Sequence, residues 1–184
     1  MPPKQCCLTI RNVSHFGSYK KVTTMGPFDN AVDRLGIVLP PPPKPVASYV
    51  PFIKVGGTPK GGGMVYISGQ LPSKDGQVIF AGKVPTVVSL EDAKEAAKLA
   101  TINALSILRE ACDGDLDQVK RIVRVGVFVQ SADDFYAQPQ VANGTSDLLV
   151  AIFGDTGKHA RAAVGTNVLP LNAAVEVELI VELK

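Results

Sequence analysis

Residues 173–183 read AAVEVELIVEL, and the alternation dictates an extended chain. Successive side chains of a strand point to opposite faces. Val175, Val177, Leu179, Val181 and Leu183 therefore share one side, and Glu176, Glu178, Ile180 and Glu182 the other. A second run, VKRIVRVGVFV at 119–129, repeats the period, with Val119, Val123, Val125, Val127 and Val129 in phase and Arg121 as the exception. Two strands with one apolar side apiece need an apolar layer over that side.

Two helical stretches can supply the layer. Ser89 with Asp92 three residues on makes a capping box, and Glu91 adds negative charge to the first turn. Ala93, Ala96, Ala97, Ala100, Ala104, Ile107, Leu108 and Ala111 then recur at helical spacing, so many alanines that the helix should lie close on a sheet. Gly114 is a natural stop, and Cys112 beside it reads as a small buried hydrophobe. A second helical region is expected to start at Ser131 and the Asp133–Asp134 pair. Its later turns carry Val141, Leu148, Leu149, Ile152 and Phe153, and Gly154 ends it.

Further strands are expected at Tyr49–Val55, Met64–Ser68 and Ala160–Val164, with a short one near Val78–Phe80. Gly56, Gly57, Gly61, Gly62 and Gly63 separate the first two. This loop lacks the Lys-Ser/Thr ending of a phosphate-binding loop and leads into a strand, so it reads as a hairpin connection. The order ββ-α-β-α-ββ predicts an α+β fold, a sheet with both helices on one face. The other face has no cover from the chain itself, and such a face often meets another subunit.

Three segments divide the chain. Residues 1–27 form an N-terminal extension with Lys4, Arg11, Lys20 and Lys21 and no acidic residue. That composition suits either a frayed end or an organelle-targeting segment, so a cytoplasmic location has a mitochondrial alternative. Residues 28–48 hold a short helix, Phe28–Val38, with Ala31, Leu35 and Val38 on one side. The stiff connector PPPPKP, residues 40–45, follows it. Residues 49–184 are the α+β domain.

Composition excludes several functions. Nineteen basic against 17 acidic residues leave a net charge of +2, with no electrostatic footprint for nucleic acid. No run approaches the roughly 18 apolar residues that a membrane span needs. Cys6, Cys7 and Cys112 fit neither a disulfide framework nor a zinc pattern. His159 has no second ligand at metal spacing, and with His15 as the other histidine a Ser-His-Asp grouping has little to draw on.

Four blocks, VYISGQLP (65–72), VKRIVRVGVFVQSADDF (119–135), NGTSDLLVAIFG (143–154) and HARAAVGTNVLPLNAAVEVELIVE (159–182), resemble the Rid (reactive intermediate deaminase, YjgF-like) family, whose relatives are often labelled L-PSP endoribonucleases. The likeness covers about residues 46–184 and, for a subgroup with a long N-terminal segment, extends through the connector. It implies a chorismate-mutase-like sandwich, a homotrimer, and clefts between neighbouring subunits.

The resemblance also implies a site. Arg161 matches the arginine that grips a substrate carboxylate, for which a planar guanidinium offers two parallel hydrogen bonds. Glu176 matches a glutamate that positions or activates water. Ser68 and Gly69 lie where a hydroxyl and main-chain groups reach the ligand, Asn143 matches an asparagine near the pocket, and Tyr49 a pocket tyrosine. Ala163 departs from the pattern, since many relatives carry cysteine there. The implied chemistry is cofactor-independent, metal-free hydrolysis of small imine or enamine carboxylates such as 2-aminoacrylate to a 2-keto acid and ammonium. A non-catalytic carboxylate-binding trimer and an endoribonuclease are the alternatives. Without the family, Arg161, Glu176, Ser68 and Asn143 would each pass as ordinary surface or turn residues.

Overall fold

A computed structural model describes residues 26–42, 48–58 and 61–184; residues 1–25 of the expected extension (1–27) and the end of the proline-rich connector lie outside them. The helices are α1 (Pro27–Arg34), α2 (Leu90–Ala111) and α3 (Gln138–Phe153). The strands are β1 (Phe52–Val55), β2 (Met64–Gln70), β3 (Ser73–Lys74), β4 (Gln77–Val78), β5 (Val119–Gln130), β6 (Ala160–Thr166) and β7 (Val175–Leu183). The main sheet runs β1-β2-β7-β5-β6, with only β5 and β6 parallel. β3 and β4 form a separate small hairpin whose Asp75–Gly76 turn has φ of 53° and 79°, the mirror-image turn that suits twisted strands.

β7 lies at the centre, paired on both edges, and its alternation is the expected one: Val175, Val177, Leu179 and Val181 are buried, while Glu176, Glu178 and Ile180 are half-buried on the opposite side. α2 and α3 both pack on the apolar side. Ser89 Oγ accepts from the Asp92 amide at 3.1 Å and donates to its carboxylate at 2.7 Å, starting α2 as its capping residues predict. Ala93, Ala96, Ala97, Ala100 and Ala104 are wholly buried, which brings the α2 backbone close to its neighbours. At Gly144 of α3 a Cβ would collide with the Lys94 carbonyl. Beside it, the Ala97 carbonyl accepts from Thr101 Oγ1 at 2.7 Å and Thr145 Oγ1 at 3.3 Å, a buried polar bridge between the helices. Gly144 and Thr145 thus fix the rotation of α3, and Asn143 and Ser146, three apart on its other side, are turned away from α2.

Three expectations need correction. The first helix ends at Arg34, not Val38. Gly36 takes φ 66°, and the Ile37 amide bonds back to the Val32 carbonyl at 3.1 Å, so a glycine stop precedes the prolines. Ala31 and Val32 are the buried pair, and Leu35 and Val38 are exposed. In β5, Ile122 and not Val123 reaches the core, because the pairing with β7 slips by one residue between Val119 and Arg121 and again between Ile122 and Arg124. The two bulges cancel, which restores the phase at Val125 and keeps Arg121 off the core face. The second helix starts at Gln138, seven residues after Ser131. Asp133 and Asp134 lie in a turn before it.

α1 is clipped to the body by reciprocal capping. Asp117 Oδ1 accepts the Phe28 amide at 3.2 Å, Asp29 Oδ2 accepts the Leu116 amide at 3.3 Å, and Asp29 also meets Arg109 at 3.4 Å. Phe28 sets its ring edge-on to Phe153, centroids 4.9 Å apart.

Candidate active site

The six candidate residues fall into two groups. Arg161 lies on edge strand β6, in register with Val125, whose side chain is in the core; its side chain accordingly leaves the sheet on the helix side. There its Nη1 donates to Asn143 Oδ1 at 2.9 Å and to Ser146 Oγ at 3.0 Å, both on the side of α3 that Gly144 and Thr145 turn away from α2. Ser146 in turn lies 3.0 Å from His159 Nε2, and His159 Nδ1 lies 2.6 Å from the Gly157 carbonyl. Burial, the larger effect, holds the His159 pKa below the usual histidine range; the Arg161 charge adds to this and the Gly157 hydrogen bond opposes it.

Glu176, Ser68, Gly69 and Tyr49 belong to the open side. Glu176 pairs with Phe128 across β5 and β7, one residue out of phase with Val127 and Val177 in the core. Its carboxylate lies over Gly69, where a Cβ would overlap it; Gly69 falls in an irregularity of β2 between Ile67 and Gln70. Glu178 lies in the same way over Gly126 and holds Arg124 Nη1 at 2.6 Å. Burial raises the Glu176 pKa above the usual carboxylate range, and the like charge of Glu178 raises it further. A half-buried carboxylate of this kind holds a proton more readily than a solvated one, the property asked of an acid–base group. Ser68 Oγ donates to the Val50 carbonyl at 2.7 Å, which spends its one proton and leaves it lone pairs to offer. Tyr49 lines a largely apolar groove of about 440 Å³ together with Tyr66, Ser68, Glu178 and Ile180.

Asn143 and Arg161 are therefore brought into contact, and so are Gly69 and Glu176, but Arg161 and Glu176 leave the sheet on opposite faces. Ser146 is a site residue that the sequence did not single out, and His159 was set aside there both as a metal ligand and as a member of a Ser-His-Asp grouping. Their signal was the i, i+3 spacing of Asn143 and Ser146 on one helix, together with a histidine two residues before the arginine. Ala163, at the usual cysteine position, is in register with Val127 and partly buried against the core. The one grouping of three possible metal ligands among the described residues is Asp29, Asp115 and Asp117; each accepts a backbone amide through one oxygen, and the second oxygen of Asp117, Oδ2, is buried with no hydrogen-bond partner among the described residues.

Known proteins share this architecture. Protein TCP17 of Trypanosoma cruzi is 40% identical over 153 residues, spanning 83% of this chain and 91% of that protein. A 2-iminobutanoate/2-iminopropanoate deaminase of Dermatophagoides farinae is 26% identical over 145 residues, spanning 79% and 93%. The crystal structure of Atu1372 from Agrobacterium tumefaciens, a protein of unknown function, superimposes with a TM-score of 0.76 at 37% identity, covering 85% of this chain and 92% of that one. The model of the family described as "YjgF/chorismate_mutase-like, putative endoribonuclease" matches residues 33–183, and with it the α+β sandwich and the sequence blocks agree: the chain belongs to the YjgF, or Rid, family.

Proposed function

We propose that the protein hydrolyses small imine or enamine carboxylates of the 2-aminoacrylate kind to a 2-keto acid and ammonium. The observation that carries this reading is Arg161: a guanidinium on an exposed edge, tethered through one nitrogen by Asn143 and Ser146, with no partner for Nε or Nη2 among the described residues. That is a prepared anchor for a carboxylate. The likeness to the Dermatophagoides farinae deaminase supports the same chemistry.

In this reading the substrate carboxylate docks on Arg161, which fixes the imine carbon in place. Glu176 accepts a proton from a water as its oxygen adds to that carbon and passes it to the imine nitrogen, giving a carbinolamine. It then takes the proton of the new hydroxyl and passes it to the same nitrogen as the carbon–nitrogen bond breaks, so that imine plus water gives ketone plus ammonia, which water protonates to ammonium. Because Arg161 and Glu176 leave opposite faces of one sheet, they meet on one substrate only across two copies of the chain. The assembly we propose is the one that the family resemblance implies, a homotrimer with a cleft at each subunit boundary. The endoribonuclease description has less support here, since a net charge of +2 provides no basic surface and His159 is engaged inside the fold.

The test is release of ammonium and keto acid from a freshly generated imine. Arg161→Lys keeps the charge but loses the fork. It is expected to cost roughly 2–4 kcal/mol of transition-state stabilisation with melting unchanged. A variant that turns over like the parent sinks the assignment. One that melts many degrees lower makes the arginine structural.

A further inference from the structure

Ser146 and His159 stand behind Arg161 and have no part in the chemistry above. Their hydrogen bonds nevertheless run in one direction. The Gly157 carbonyl can only accept, so His159 Nδ1, 2.6 Å away, carries the ring proton. In the neutral ring Nε2 is then a lone-pair acceptor, and the Ser146 hydroxyl 3.0 Å from it must donate to it. With its proton committed, Ser146 offers Arg161 lone pairs alone. One N–H of Nη1 takes up that offer at 3.0 Å, and the second reaches Asn143 Oδ1 at 2.9 Å.

Both hydrogens of Nη1 are thus used by the protein. The edge left over is Nε–H with the adjacent N–H of Nη2, two parallel donors at the spacing of a carboxylate. Without the committed serine, an exposed arginine on an edge strand would hold this orientation through Asn143 alone, against the rotamer freedom of a long side chain. We propose that Ser146 and His159 are positioning residues that set the proton arrangement behind Arg161, so that the substrate carboxylate is taken side-on by Nε and Nη2. This rests on the reading of Arg161 as the anchor and deepens it.

The test is calorimetric titration of the full chain with 2-oxobutanoate. Ser146→Ala is expected to weaken binding about tenfold, the scale of one hydrogen bond to a charged group, and Ser146→Thr, which keeps the hydroxyl, to restore it. His159→Ala frees the serine proton and should weaken binding similarly; should Ser146→Ala also lower melting, this variant carries the comparison. A purely structural pair would weaken binding in any background, whereas a positioning pair acts only through the fork. In an Arg161→Lys background, Ser146→Ala should therefore change nothing further. If Arg161→Lys loses binding but Ser146→Ala and His159→Ala bind like the parent, the positioning role is wrong and the anchor stands. If Arg161→Lys itself binds like the parent, the anchor is misassigned and the positioning role falls with it.

Discussion

Alternate residues of β7 meet two different worlds. Toward the helices, Val175, Val177 and Val181 are completely buried, and the chain itself supplies all the groups that bury them. Toward the other side, Glu176, Glu178 and Ile180 are half-buried with no described helix above them, sheltered by their neighbours on the sheet, while Tyr66 and Ile53 stay about half exposed at 45% and 55%. The first face is closed by the chain's own helices; the second has no described layer over it. The same division runs through the candidate site. Arg161, Asn143, Ser146 and His159 form a connected cluster on the helix side, whereas Glu176, Ser68, Gly69 and Tyr49 lie on the side that no described helix covers.

The largest expected effect comes from breaking the open face. Light scattering should give the parent three times the 19.4 kDa chain mass, and Ile180→Asp, which buries a charge wherever this face is covered, should give single chains with imine hydrolysis lost. A parent that runs as a single chain at micromolar concentration removes the contrast, since the face would then need no cover.

An intermediate effect is expected at Gly69. Alanine there places a methyl where the Glu176 carboxylate lies, and relief by displacement of β2 or of the glutamate should cost about 1–3 kcal/mol. Thermal melting reads the cost. A Gly69→Ala variant as stable as the parent would mean that Glu176 is not held against β2 in solution.

The smallest effect in stability belongs to Glu176→Gln. Folding raises this carboxyl's pKa, so its ionised form is disfavoured in the folded state. Below the unfolded pKa both states are protonated and the glutamate costs nothing; as pH rises through the folded pKa to neutral, the cost appears in full. Glutamine should therefore melt like the parent near pH 3 and slightly higher at pH 7, by less than about 1 kcal/mol, while turnover falls because an amide cannot take the proton. A variant that melts lower at pH 7 would show that the carboxylate is stabilised by something this face lacks.

Much of the fold was legible because it is written in short-range periodicity. The alternation of β7 and the capped alanine face of α2 depend on neighbours within a few residues. The misreadings share a different cause. The bulges that substitute Ile122 for Val123 arise from pairing between β5 and β7, strands far apart in sequence. The late start of α3 leaves Asp133 and Asp134 in a turn, although as residues they would serve equally well as helix caps. In the site, each candidate was named through family likeness. That Arg161 and Glu176 take opposite faces follows only from the parallel register of β5 with β6 and the antiparallel register of β5 with β7. Gly69 beneath Glu176 is visible only once β2 is laid beside β7.

The clip that holds α1 has a consequence for the order of assembly during synthesis. Its hydrogen bonds join residues 89 and 87 positions apart in the chain, Phe28 with Asp117 and Asp29 with Leu116, and its ring contact reaches forward to Phe153. At eight residues α1 is too short to persist as a helix alone. It is thus the first described helix to leave the ribosome and lacks its partners until α3 has followed, so its sequence waits while β1 to β5 are made. The exposed Leu35 and Val38 and the proline run behind them suit that wait, because prolines give a waiting segment little means of joining a sheet edge.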